Sequence, residues 1–150
     1  MNYLIREAEQ SDLEALISFT LHEATETEGV SPDLAAVKHG VQAGLDGSAP
    51  SSYWVAEDSD GSVVGSISVV TEWSNFRGGY YWWIQSLFIV SEHRGRGLVD
   101  YLLEFVATTA RAASALDLRL YVLQSNQRAI AAYRRCGFDV ALYTIMIHPF

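Results

Sequence analysis

The chain is poor in cysteine: Cys136 stands alone among 150 residues. One thiol cannot close an internal disulfide, and metal motifs built on two cysteines are excluded with it. Positive charge is also scarce, with ten Lys and Arg against eighteen Asp and Glu, a net charge near −8. That argues against nucleic acid as the main partner, because phosphate backbones are held by clustered Lys and Arg. The acidity suits a cationic substrate, and equally plain solubility. No run of about 18 uncharged apolar residues occurs, so no membrane partner or span is expected. Arg6, Glu7 and Glu9 make the first ten residues unlike a secretory signal, and a cytoplasmic protein is the simplest expectation. Repeats, low-complexity segments and linkers are missing too.

What is present is an ordinary globular composition, 49% hydrophobic and 19% charged. The length suggests one domain over 1–150, able to bury about 70% of its unfolded surface. A first strand is expected at 3–6. Ser11 with Glu14 three residues on reads as a capping box, followed by Leu13, Leu16, Ile17, Thr20 and Leu21 at helical spacing. The acidic stretch 22–32, with Glu23, Glu26 and Glu28, reads as a helix end and loop. Leu34, Val37, Val41 and Leu45 mark a second helix. Strands at 53–57 and 62–71 flank Asp60-Gly61, a strong hairpin signal. Further elements are a long strand at 80–90, a helix at about 97–114, a strand at 118–123, a helix at 128–135 capped by Ser125 or Asn126, and a last strand at 140–147. Central hairpins followed by a crossover helix imply a mixed sheet with helices on its faces, an α/β fold.

The most informative stretch is 82–103, WWIQSLFIVSEHRGRGLVDYLL. It reads as strand, glycine-rich turn, helix. Such a turn leaves the first helical N–H groups without partners and aims them, with the positive end of the helix dipole, at one point. That point suits an anion, usually phosphate. Three motifs compete for it. The Walker A pattern needs Lys-Ser/Thr after its last glycine, where Leu98-Val99 stands. The dinucleotide fingerprint needs a third glycine, where Asp100 stands. The pyrophosphate loop of coenzyme A enzymes, R-x-x-G-x-G/A, is matched from Arg94 to Gly97.

With this loop and a second block, LRLYVLQSNQRAIAAYRRCGF, the chain resembles the GNAT acetyltransferase superfamily. The N-x-x-A-x-x-x-Y spacing from Asn126 through Ala129 to Tyr133, ending in Gly-Phe, carries the second half of the likeness. The opening IREAEQSDLEAL and the hairpin at Asp60-Gly61 are similar as well. The resemblance implies a twisted mixed sheet in which two parallel strands, 81–90 and 118–123, splay apart. Acetyl-CoA is expected in the splay as cosubstrate, with no metal. Main-chain groups of Leu87, Phe88 and Ile89 are expected to pair with pantetheine. Arg94, Gly95, Arg96, Gly97, Leu98 and Val99 are expected to cradle the pyrophosphate. Asn126 is expected to reach the pantetheine arm, and Tyr133 to sit near the sulfur. Val99 departs from the usual Gly or Ala, yet still supplies its N–H.

The implied reaction is attack of an amine, on a small molecule or a peptide, on the thioester. Tyr133 is the expected acid for the leaving thiolate, since a phenol near pKa 10 suits a thiol near 8.5. Gln85 stands where many members place a glutamate base, and a neutral amide cannot take a proton. Neutralising a lysine-like amine at pH 7 costs about 4 kcal/mol, an α-amine about 1. Glu26, Glu28, Glu72 and His22 are candidate substitutes. Trp73 is a candidate wall of the acceptor pocket and His93 a phosphate contact. Cys136 reads as a small buried side chain rather than a nucleophile. Gln85 also makes a silent acyl-CoA-binding module thinkable. The apolar last strand is a candidate homodimer edge.

Overall fold

A computed structural model describes residues 2–150. Among them, five strands form one sheet in chain order: β1 (Leu4–Glu7), β2 (Ser51–Glu57), β3 (Val63–Ser74), β4 (Gly79–Ile89) and β5 (Leu118–Leu120). The first four are antiparallel neighbours, and β4 and β5 run parallel. Four α-helices accompany them: α1 (Leu13–Glu23), α2 (Leu34–Leu45), α3 (Leu98–Ala112) and α4 (Gln127–Arg135). The result is the expected mixed α/β architecture.

The period-2 alternation of β2 explains why helices cover both faces. Trp54 and Ala56 point into a cluster with Ile67, Ile84, Leu102 and Val106, under α3. Val55, between them, points the other way, against Leu16 and Ile17 of α1 and Val41 of α2. The parallel pair requires a crossover, and α3 supplies it.

Four expectations are corrected. The capping box forms not at Ser11 and Glu14 but at Glu9 and Asp12, around a single 3-10 turn, Gln10–Asp12, that leads into α1; the Asp12 carboxylate accepts the Glu9 N–H at 2.7 Å. Arg6 on β1 explains the shift. Its guanidinium bonds both Asp12 oxygens, at 2.7 and 3.0 Å, drawing that residue to 5% exposure and holding its carboxyl below the usual range. Second, the helical path does not stop near residue 22. It widens into a π-helical turn, Ala24–Glu28, ended by Gly29 in the left-handed region (φ 66°). Third, 140–147 forms no strand. Leu142, Tyr143 and Met146 stand almost fully in solvent, and a strand needs a partner edge that this chain does not bring to them. The strand expected at 118–123 also stops at Leu120.

Candidate active site

The site begins with an irregularity. Ser68 of β3 faces Ser86 of β4, but Val69 faces Ile84, so Gln85 is an extra residue, a bulge. The Ser68 and Ser86 hydroxyls bond to each other at 2.7 Å beside it. The parallel pairing of β4 with β5 covers Trp82, Trp83 and Ile84 and ends there. Beyond the bulge β4 therefore has a neighbour on one side only. The Val90 N–H bonds Val64 O across β3 (3.0 Å). Alternate residues share that orientation, so Leu87 and Ile89 turn their main-chain groups to the open side. Both are engaged by side chains: Leu87 N–H donates to Glu23 Oε1 at 3.1 Å, and Ile89 O accepts from Arg94 Nε at 2.8 Å.

The opening is a cavity of about 1280 Å³. Leu87, Phe88 and Ile89 line it together with Tyr121, Leu123, Asn126 and Tyr133 from the β5–α4 segment. Its volume exceeds the 300–1,000 Å³ or so common for small-molecule sites, as a long ligand requires. Gly95, Gly97, Leu98, Val99 and Asp100 line it too. Gly95 (φ 73°) and Gly97 (φ 81°) sit in the left-handed region, which glycine enters at no steric cost. A Cβ on either would meet nothing within 4 Å, so conformation rather than space demands them. The first intrahelical bond of α3 runs from Tyr101 N–H to Gly97 O (3.1 Å). The N–H groups of Leu98, Val99 and Asp100 precede it and face outward from the helix start.

The side chains around this turn are occupied. Arg94 ion-pairs with Glu26 at 2.7 Å and lies 5.4 Å over the Phe88 ring. His93 meets Tyr3 Oη at 3.1 Å and Asp58 at 3.8 Å. Arg96 is exposed and does not line the cavity. The Asp100 carboxylate accepts the Cys136 thiol at 3.3 Å; burial, then Asp100, push that thiol up, away from nucleophilic use.

Asn126 caps α4, its Oδ1 accepting Ala129 N–H at 3.2 Å. The cap sets the phase of α4 so that Ala129, Ala132 and Tyr133 line the cavity. Tyr133 packs edge-on against Phe138 at 5.9 Å. Burial, then the charge of Glu23, push its hydroxyl above the ordinary phenol value. Glu26, Glu28 and Gln85 also line the cavity. Glu72 and Trp73 do not: Glu72 accepts the Trp83 indole N–H at 2.7 Å, and Trp73 packs edge-on against Tyr80 at 5.1 Å. His22 is turned to Ser18 O, 2.7 Å away. Among the described residues no group of three or more His, Cys, Asp or Glu is arranged to hold a metal.

Glu23, which the sequence places only in an acidic helix end and loop, is a site residue that no motif marks. It is the last residue of α1 and lines the same cavity as Tyr133. Burial raises its carboxyl to about 7, the Glu28 charge adds to this, and the Leu87 N–H opposes it. A signal was present: Glu23 stands seven residues after Leu16, so it continues the buried stripe of α1.

Known proteins agree with this architecture. The L-methionine sulfoximine/L-methionine sulfone acetyltransferase of Pseudomonas paraeruginosa is 27% identical over 143 residues, 94% of this chain and 83% of that one. The streptothricin acetyltransferase of Streptomyces lavendulae is 36% identical over 100 residues, 63% of this chain and 51% of that one. The chain spans about half the length of the two streptothricin acetyltransferases that it matches, at 51% of each. The crystal structure of a possible acetyltransferase from Clostridium difficile 630 superposes with a TM-score of 0.91 at 30% identity, covering 100% of this chain and 99% of that one. The profile of the Acetyltransferase (GNAT) family matches residues 13–138. With the splayed strands, the glycine-turned helix start and the capped α4 in place, the chain belongs to the GNAT acetyltransferase family.

Proposed function

We propose that the chain transfers the acetyl group of acetyl-CoA to a primary amine by direct attack in a ternary complex. One observation carries the reading: a glycine-turned helix N-terminus and a strand edge without a strand partner open into the same cavity. The helix start suits a pyrophosphate, and residues 87–89 offer main-chain groups that suit the pantetheine amides. Acetyl-CoA supplies an acyl group already activated as a thioester.

The chain's own residues do the rest. N–H groups of 94–99 hold the phosphate charge, with Arg94 and Arg96 as nearby cations. Asn126 keeps its amide NH2 for the pantetheine while its oxygen caps α4. The main-chain N–H of Ile89, on the open side of β4 beside the Leu87 N–H that Glu23 takes, stabilises the oxyanion of the tetrahedral intermediate. Tyr133 gives its phenolic proton to the departing sulfur. Its raised pKa keeps the hydroxyl protonated at neutral pH. Moving a proton from an ordinary phenol near 10 to a thiolate near 8.5 is uphill by about 2 kcal/mol, and the raised Tyr133 hydroxyl adds to that cost, which is met within the barrier. Glu26, Glu28 and Gln85 surround the acceptor amine. A cytoplasmic setting, where the Cys136 thiol stays reduced, completes the reading.

The test is calorimetric titration with acetyl-CoA, using CoA, ATP and NAD as controls. It is followed by thiol release with streptothricin, L-methionine sulfone and an alanine peptide as acceptors. Binding of acetyl-CoA or CoA but not ATP or NAD is expected, with turnover on at least one amine. Tyr133→Phe should lower kcat at least tenfold with acetyl-CoA affinity unchanged. Unaltered kcat would remove Tyr133 as the acid, and binding without turnover across the panel would mark a sensor rather than an enzyme.

A further inference from the structure

We infer that Glu23 is the group that takes the proton from the acceptor's ammonium, an assignment resting on the amine acetylation proposed above. Three placements converge on it. The reaction needs a base, and Gln85 at the β4 bulge, facing the cavity, is an amide that cannot serve. Glu23 bonds the open edge of β4 itself, through Leu87 N–H, two residues past that bulge. It also shares the cavity with Tyr133, close enough for its charge to raise the phenol. Base and acid thus come from opposite sides of the splay, α1 and α4.

The neighbouring carboxylates are worse placed. Glu26 is committed to Arg94, and Glu28 is exposed. The surroundings of Glu23 tune it for the task. Tyr53 of β2 and Tyr133 of α4 face it, and Glu28 lies on the following turn. Arg94 lines the same cavity but is held by Glu26 and by Ile89 O, and His22 is turned away to Ser18 and the Phe88 ring. An ordinary glutamate near 4.3 would take a proton from a lysine-like ammonium at a cost of about 8 kcal/mol; a carboxylate near 7 does so for about 5.

The balance closes. Glu23 accepts one proton from the ammonium, and the freed lone pair forms the C–N bond to the thioester carbonyl carbon. The C–S bond breaks, and sulfur leaves with its electron pair and takes the Tyr133 proton. The second proton shed by nitrogen returns to the Tyr133 oxygen, and Glu23 releases its proton to water. Ammonium and thioester give amide, thiol and one proton.

Glu23→Gln tests this, because the amide oxygen can still accept the Leu87 N–H. The pH profile of kcat/KM is measured for wild type and variant with the best alkylamine of the panel. It is repeated with hydroxylamine, which is already neutral near pH 7. Wild type should lose activity as pH falls through about 7. The variant should be about a hundredfold slower near pH 7 with the alkylamine, climb steadily with pH, and stay within about threefold of wild type with hydroxylamine. Its acetyl-CoA affinity should be unchanged. A wild-type profile in the variant would overturn the assignment and leave the acetyltransferase reading standing. Equal losses with both nucleophiles, or lost acetyl-CoA binding, would overturn it in favour of a structural role. A wild-type protein that binds acetyl-CoA yet turns over no amine would overturn the proposed function, and the assignment with it.

Discussion

At the scale of single residues, Glu23 links function to stability. Its carboxyl titrates near 4.5 when solvated and near 7 when folded, so between those values the folded chain holds a proton that the unfolded chain releases. Stability is therefore intact below about 4.5 and declines as pH rises through the window to about 7. The full difference is about 3 kcal/mol, an upper figure because Glu23 is not wholly buried. Glu23→Gln should unfold at a temperature several degrees above wild type near pH 8, with the gap closing near pH 5. Thermal unfolding at the two pH values decides this; no gap near pH 8 would mean the carboxyl is well solvated. Motif spacing made the places of Asn126 and Tyr133 legible, since the cap and a residue two turns further on are fixed along one helix and both line the cavity. Glu23 was hidden because an acidic run looks solvated until the strand that buries one of its members is in place.

At the scale of elements, the loop opening α3 was legible from Gly95 and Gly97, whose type alone announces positive φ. The bulge at Gln85 was not: it shows only in the register against β3, which no local pattern in β4 reveals. The same holds for the approach to α1, where a plausible Ser-x-x-Glu box gives way to a Glu9–Asp12 box because Arg6 of β1 reaches Asp12. The α3 start can be tested by backbone strain alone. Gly97→Ala places a Cβ at φ 81° and should cost about 1 kcal/mol, a few degrees in Tm. Because the strain turns N–H groups off their common point, acetyl-CoA affinity should fall about tenfold. Gly61→Ala, at φ 78° in the β2–β3 turn with nothing within 4 Å of its Cβ, is the matched control. It should show a similar Tm loss and unchanged affinity. Equal affinity losses in both variants would mean that global stability, not the geometry of the helix start, governs binding.

At the scale of the whole molecule, the segment after Asp139 stands apart from everything above. It carries Leu142, Tyr143, Met146 and Phe150, each at least 87% exposed, in a pattern that reads as strand from sequence alone. Periodicity reports that a segment wants a sheet, and it cannot say whose. Among the described residues the sheet ends at β5, whose outer edge has no neighbouring strand. Burying even two such side chains is worth about 3–6 kcal/mol, and an unpaired edge supplies main-chain partners. We therefore propose that two copies pair by laying this segment on one another's β5 edge. The net charge of −8 opposes that approach, so association should strengthen as salt screens it. Sedimentation velocity over a range of concentrations should show dimers for the full chain, increasing with salt. A version lacking 140–150 should stay monomeric, with the far-UV spectrum and dilute-solution Tm preserved, since the core clusters draw nothing from that segment. A full chain that remains monomeric at high concentration and high salt would mean that the segment is solvated as the single chain shows it. A truncated chain that unfolds at lower temperature even when dilute would mean that the segment folds back on its own sheet in solution.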